Sequence, residues 1–143
     1  MTRWLVAALL LGALAGCGSG ESSNPSIPRI ENAWVRAADS SATTAAYLTL
    51  FNDANGPYSV VAATGLLCDD IQMHETVRNG ALTSMRETAL LTAPPHGKLE
   101  FKPGGNHLML IGLRQKLVAG QMTHFTLLLQ NGSTISVDAE VRE

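Results

Sequence analysis

Cysteine is scarce in this sequence, with only Cys17 and Cys68 among 143 residues. Cys17 directly follows an apolar leader and is expected to be modified there, which leaves Cys68 without a partner for an intramolecular disulfide. A domain of about 115 residues buries about two-thirds of the surface of its unfolded chain. The fold is therefore expected to depend on a hydrophobic core, with Cys68 as one of its small buried residues.

Motifs that carry enzymatic chemistry are also missing. The sequence contains no glycine-rich phosphate loop, no GxSxG element and no HExxH helix. Its formal net charge is −2, and no cluster of basic residues indicates binding to nucleic acid. We therefore predict a protein that is not an enzyme and does not bind nucleic acid.

A long hydrophobic run is absent as well, because the apolar stretch from Trp4 to Leu14 is shorter than the ~20 residues that cross a bilayer. Arg3 precedes this stretch, and Leu14-Ala15-Gly16-Cys17 at its end resembles a lipobox. The pattern predicts a lipoprotein signal peptide and lipidation of Cys17. An uncleaved transmembrane helix is the less favoured alternative.

The leader divides the chain into three predicted parts, which are a signal peptide at 1–16, a lipidated cysteine with a flexible tether at 17–28, and one folded domain at 29–143. The tether is rich in Gly, Ser and Pro, as flexible linkers are. We expect a monomer in the bacterial cell envelope that faces the periplasm. Gly18 stands where an aspartate signals retention in the inner membrane of some bacteria, so the outer membrane is slightly favoured.

Helical periodicity is missing after the leader, and short alternating or apolar runs recur instead. Turn-forming residues such as Asn79-Gly80 and Pro103-Gly104-Gly105 separate these runs. The pattern predicts an all-β protein, a β-sandwich of Greek-key type. The predicted strands cover residues 30–37, 45–52, 58–64, 70–78, 81–88, 98–102, 107–113, 123–130 and 134–141.

Two of these strands are predicted to form a hairpin around Asn79-Gly80, a sequence typical of a two-residue type I′ turn. Counting back from that turn places His74 directly opposite Met85, with Cβ atoms about 5 Å apart. The same count places Glu75 opposite Ser84. One metal ion between the strands would then be in reach of both His74 and Met85.

A second histidine and methionine, His107 and Met109, are separated by one residue and therefore share one face of a strand. Two imidazoles and two thioethers suit soft, polarisable Cu(I), because a thioether carries no charge and binds hard ions poorly. We predict a copper site made of His74, Met85, His107 and Met109. Met73 points to the opposite face, so it is expected to be a packing residue and only a reserve ligand.

The spacing of these residues matches a known pattern. Met73-His74, ten residues, Met85, twenty-one residues and His107-Leu108-Met109 resemble the H(M)x10Mx21HxM motif of the periplasmic PCu(A)C-type copper chaperones. Residues 33–52 and 94–129 resemble that family too. The resemblance implies a cupredoxin-like β-sandwich that binds Cu(I) and passes it to an acceptor protein, which in the family serves the copper centres of cytochrome c oxidase.

The sequence is compatible with other functions as well. A blue-copper electron carrier needs a cysteine thiolate beside its histidines, and Cys68 is not at the required spacing. His96 and His124 lie outside the motif. The main alternative is a copper-sequestering or resistance lipoprotein without a dedicated acceptor. A further one is an adhesion or assembly domain that binds no metal, in which the four motif residues pack in the core or have no role.

Overall fold

The computed structural model describes residues 26–143, which form ten β-strands and no α-helix. The strands are β1 (Arg29–Arg36), β2 (Thr44–Asn52), β3 (Tyr58–Thr64), β4 (Cys68–Asn79), β5 (Leu82–Glu87), β6 (Leu91–Ala93), β7 (Gly97–Phe101), β8 (His107–Leu113), β9 (Met122–Leu129) and β10 (Thr134–Arg142). Nine of them correspond to the strands predicted from the sequence. The tenth, β6, has only three residues, too few to show an alternating pattern.

The strands form one mixed sheet in the order β5-β4-β8-β2-β1-β10-β9-β3-β6, and β7 also pairs with β2. The pairing of β1 with β10 is parallel, whereas the other pairings are antiparallel. The sheet folds over, because β3 contacts β4 and β6 contacts β7. The predicted all-β sandwich is therefore confirmed.

The core lies between the two layers of the folded sheet. Leu50 and Leu108 come from one layer and Val60 and Leu127 from the other, and all four are completely buried. Along β8 the inward residues alternate with Met109 and Ile111, which are partly exposed. This alternation leaves one face of β4 and β8 pointing out of the sandwich, and that face carries His74 and His107.

Cys68 begins β4 as a free and buried thiol. Burial, and secondarily the nearby charge of Asp70, raises the pKa of this thiol. Its Sγ donates a hydrogen bond to the backbone oxygen of Asp70, at 3.3 Å. Cys68 is therefore a small core residue, as the sequence predicted.

Three features predicted for the N-terminal region, the signal peptide at 1–16, the lipid on Cys17 and most of the tether at 17–28, lie outside the described residues. Within residues 26–143, no helix has the length and apolar character needed to cross a membrane.

The hairpin of β4 and β5 has a different register from the predicted one. Asn79 pairs with Leu82, so the two loop residues are Gly80 and Ala81. Gly80 has a φ of 60°, while Asn79 and Ala81 are not among the residues with positive φ. A positive φ at the first loop residue alone is typical of a type II′ turn, which favours glycine there.

The prediction that His74 lies directly opposite Met85 is therefore wrong. Met85 pairs with Thr76, and His74 pairs with Glu87 on its β5 side. The observed register also brings Glu75 opposite Arg86, where the two side chains form an ion pair. In the predicted register Glu75 would have faced Ser84, without a charged partner.

Candidate metal centre

The two histidines of the motif face each other across β4 and β8. His74 pairs with His107 in the ladder between these strands, and their ring centroids are 5.6 Å apart with an interplanar angle of 48°. His107 is 6 % exposed, and His74 is half-buried. The two histidines, which the sequence could only place on separate strands, are thus neighbours in the sheet.

The two methionines lie on opposite sides of this histidine pair. Met109 pairs with Gln72, on the side toward the start of β4, while Met85 pairs with Thr76, on the side toward the hairpin turn. Met109 is two residues from His107 along β8, and Thr76, the partner of Met85, is two residues from His74 along β4. All four side chains therefore emerge on the same outward face.

The distances of the two methionines from the histidine pair are unequal. Neighbouring strands are about 4.8 Å apart, and two residues along a strand span about 6.6 Å. In an untwisted sheet these spacings place the Cα of Met109 about 7 Å from the midpoint of the pair, and the Cα of Met85 about 10 Å from it. Met85 is also 64 % exposed, so of the two methionines it is both the more distant from the histidine pair and the more exposed.

Hydrogen bonds constrain one nitrogen of each imidazole. Nδ1 of His107 is 3.0 Å from the backbone oxygen of Gly105, and Nε2 of His74 is 3.2 Å from Oε1 of Gln72. The other nitrogen of His74, Nδ1, is buried and has no hydrogen-bond partner. A buried polar atom without a partner is costly and calls for an explanation, and a ligand that binds its lone pair supplies one.

The carbonyl of Gly105 connects the histidine pair to the hairpin. It accepts a hydrogen bond from Oγ1 of Thr76 at 3.0 Å, in addition to the contact with His107. Thr76 is the cross-strand partner of Met85. The strand segment that carries Met85 is therefore linked to the same backbone atom that orients His107.

Aromatic residues border the site on its β2 side. Ala45 of β2 pairs with Met109, and Tyr47 lies on the same face two residues further along. The Tyr47 ring is 4.5 Å from the ring of Trp34 on β1, and Tyr47 is 6 % exposed. This aromatic boundary was not predicted from the sequence, although the spacing of Ala45 and Tyr47 within one strand indicates a shared face.

Gln72 and Thr76 were also missed by sequence reasoning. Both lie two residues from His74, one on each side, so the alternation rule that paired His107 with Met109 would have placed them beside the site. Their side chains are neutral and bind metals weakly, so the residue types alone do not indicate a metal site.

Met73 is directed away from these donors. It pairs with Leu108, is 4 % exposed and belongs to the hydrophobic core. Neighbouring residues of a strand face opposite sides of the sheet, so Met73 and His74 are separated by the backbone of β4.

The remaining histidines have other partners. Nε2 of His96 lies 2.8 Å from Oδ1 of Asn55, and Nδ1 of His124 lies 3.6 Å from Oδ1 of Asp138. His124 lines a surface groove of about 790 Å³ that includes neither His74 nor His107. In the part of the chain that the structure covers, no three His, Cys, Asp or Glu side chains are grouped to hold a metal ion.

Solved structures share this fold. The copper-bound PCuAC domain from PmoF2 superposes with a TM-score of 0.67 at 22% identity, over 80% of this chain and 92% of that domain. The Cu(I) form of DR1885 from Deinococcus radiodurans is 34% identical over 78% of this chain and 75% of its own, with a TM-score of 0.64. The fold is thus the cupredoxin-like fold of PCuAC domains, and the predicted resemblance to PCu(A)C-type proteins is confirmed.

Sequence relatives identify the family more narrowly. The family model described as "Putative lipoprotein LpqE-like" matches residues 29–141. "Putative lipoprotein Lxx21020" of Leifsonia xyli subsp. xyli (strain CTCB07) is 38% identical over 146 residues, which is 96% of this chain and 87% of the relative. The chain belongs to the LpqE-like family.

Proposed function

We propose that this protein is an extracytoplasmic Cu(I)-binding metallochaperone. The observation that carries the proposal is the pairing of His74 with His107, in which a buried imidazole nitrogen has no partner. Met109 would complete the donor set from one side, and Met85 from the other once the exposed hairpin that carries it moves toward the histidine pair. A metal bound about 2 Å from an imidazole nitrogen lies about 3 Å from the ring centroid. Two rings that share one ion are then at most about 6 Å apart, and the observed separation is 5.6 Å.

The chemistry of the donors favours Cu(I) over harder ions. Thioether sulfur is soft and uncharged, so Met85 and Met109 add little affinity for magnesium, calcium or manganese. Cys68 is not part of the set, because it is buried at the start of β4 and its thiol has a raised pKa. A site without a thiolate also avoids oxidation to a disulfide, which suits an oxidising compartment.

The asymmetry of the methionines suits transfer of the ion. Met109 is half-buried beside the aromatic boundary, whereas Met85 stands exposed on the hairpin. An incoming acceptor would first replace the exposed thioether and then the more enclosed donors. We propose that the acceptor is a copper domain of cytochrome c oxidase or another chaperone, and that the protein acts as a monomer without catalysing a reaction.

A lipid anchor would place this site at a membrane surface. The family description and the name of the Leifsonia relative both contain the word lipoprotein. We propose that residues 1–16 are removed, that Cys17 carries the lipid, and that residues up to 28 tether a copper-binding domain at 29–143 to the envelope, on the periplasmic side. The anchor would keep the chaperone near membrane-bound acceptors.

Copper binding is tested by X-ray absorption and by competition with a chromophoric Cu(I) chelator. We expect one Cu(I) per protein with two nitrogen and two sulfur neighbours, and weaker binding after His107→Ala and after Met109→Ala. His124→Ala is the matched control, since His124 lies outside the site. The Cu(I) affinity of this variant should equal that of the wild type. Three sulfur neighbours, or unchanged affinity in His107→Ala, would contradict the proposed donor set.

A copper-sequestering protein would have the same site but would not pass its copper to an acceptor. Titrating the Cu(I)-loaded protein with an apo oxidase copper domain should move copper to the acceptor at equilibrium. If the protein keeps its copper, and deletion of the gene leaves oxidase activity intact while lowering copper tolerance, the protein is a buffer and not a delivery chaperone.

A further inference from the structure

A chain of hydrogen bonds leads along β4 to His74. Asp70, Gln72 and His74 are alternate residues, so their side chains share the outward face of the strand. Nε2 of Gln72 donates to Oδ2 of Asp70 at 3.0 Å, and Oε1 of Gln72 lies 3.2 Å from Nε2 of His74.

The donor and acceptor roles in this chain follow from its first member. An ionised carboxylate only accepts hydrogen bonds, so the NH₂ group of Gln72 must face Asp70 and its carbonyl oxygen must face His74. That oxygen also only accepts, so Nε2 of His74 carries the proton. In neutral imidazole the lone pair is then on Nδ1, which is the buried atom without a partner.

The opposite assignment holds for His107. Its Nδ1 faces the backbone oxygen of Gly105 at 3.0 Å, and because a carbonyl oxygen only accepts, Nδ1 carries the proton. The lone pair of His107 is therefore on Nε2. The two facing imidazoles thus differ in the nitrogen that is free to bind a ligand.

We propose that Gln72, oriented by Asp70, is a positioning residue that makes His74 offer Nδ1 while His107 offers Nε2, so that one copper ion is bound through unlike nitrogens. This proposal rests on the proposed copper site but concerns the protonation pattern of its ligands. Hydrogen bonds from the second nitrogen of a metal-binding histidine fix its tautomer, and their loss typically lowers metal affinity about 10–100-fold.

The tautomers can be measured before any copper is added. In copper-free protein labelled with ¹⁵N at histidine, long-range ¹H–¹⁵N correlation spectra distinguish a protonated ring nitrogen from one with a lone pair. We expect protonated Nε2 in His74 and protonated Nδ1 in His107. His74 with a protonated Nδ1, or His107 with a protonated Nε2, would overturn the assignment whether or not the protein binds copper.

The Cu(I)-loaded protein gives the second readout, because Cu(I) is diamagnetic and the same spectra report the bound nitrogen. We expect copper on Nδ1 of His74 and on Nε2 of His107. Copper on Nε2 of His74 would overturn the positioning role and leave the chaperone proposal intact. Conversely, a protein that has the expected tautomers but takes up no Cu(I) would refute the proposed function and leave the tautomer assignment intact.

Variants separate positioning from simple packing. Gln72→Leu keeps the side-chain bulk but removes the acceptor, so His74 should average between its two tautomers and Cu(I) affinity should fall about tenfold or more. Gln72→Glu retains an acceptor oxygen and should restore the protonated Nε2. Gln115→Leu, an exposed position in another part of the chain, is the control and should change neither signal. A Gln72→Leu spectrum and affinity equal to the wild type would refute the role of Gln72.

Discussion

Two methionines twelve residues apart offer a direct test of the division between core and site. Met73 on β4 is 4 % exposed and packs in the hydrophobic core, whereas Met85 on β5 is 64 % exposed. Each is changed to alanine, so the same atoms are removed in both variants. We expect Met73→Ala to reduce stability with little effect on Cu(I) affinity. We expect Met85→Ala to reduce Cu(I) affinity with little effect on stability.

The expected magnitudes follow from burial. Removing a buried methionine side chain costs about 2–5 kcal/mol, because it removes apolar contacts and leaves a cavity between Leu108 and its neighbours. A domain of this length has a stability of about 6–17 kcal/mol, so this loss is substantial. It corresponds to a decrease in melting temperature of about 8–20 °C. Substitution of an exposed side chain usually changes stability by less than about 0.5 kcal/mol.

Urea denaturation of the copper-free proteins measures the first quantity, and competition with a Cu(I) chelator measures the second. Met73→Ala should lower the urea midpoint by about 1–2 M at unchanged m-value. A loss of less than about 1 kcal/mol in Met73→Ala would contradict the core role of Met73, since the packing observed around it would then contribute little. A Met85→Ala variant that unfolds more easily yet binds Cu(I) as tightly as the wild type would contradict the role of Met85 in the site.

Three further outcomes are expected. Gly80→Ala should destabilise the copper-free protein by about 1 kcal/mol in urea denaturation, because Gly80 has a φ of 60°. Gly56 has equally open surroundings and no positive φ, so Gly56→Ala should be neutral or slightly stabilising. Equal effects of the two substitutions would refute the turn assignment. Gly112→Ala should cost more than Gly80→Ala, since its φ is 66° and a Cβ would lie 2.5 Å from Oδ2 of Asp69, and a smaller loss would show that Asp69 moves freely. Burial raises the pKa of Cys68, so the folded state retains the thiol proton more tightly than the unfolded state. The free energy of unfolding should therefore fall as pH rises above the thiol pKa of the unfolded chain, about 8.5. The fall should be shallower in Cys68→Ala.

The fold was accessible from the sequence because its strands are regular. Alternation in β8 and β10, together with turn residues such as Asn131-Gly132, marks strands by local chemistry alone. The order of strands in the sheet was not accessible in this way. Pairings such as β1 with β10 join residues about a hundred positions apart, and no local pattern records which strands become neighbours.

The candidate site was accessible to a similar extent. The residue types that could bind copper follow from side-chain chemistry, and their shared face follows from the alternation of side chains along a strand. The contact between His74 and His107 depends instead on the pairing of β4 with β8, which is a property of the tertiary structure. The roles of Gln72 and Gly105 depend on hydrogen-bond geometry, and neither residue type signals a metal site by itself.

The error in the hairpin register shows why the face of Met85 could be predicted while its position could not. Moving the turn by one residue, from Asn79-Gly80 to Gly80-Ala81, shifts the pairing of β4 with β5 by two residues. Because side chains alternate with a period of two, a shift of two keeps every residue on its face and moves it along the strand. Met85 therefore stays on the face of His74 but becomes a diagonal neighbour, where its side chain must reach along the sheet to share a ligand. The same shift leaves Thr76 between the methionine and the histidine pair, and its hydrogen bond to Gly105 gives the hairpin a fixed attachment beside the site.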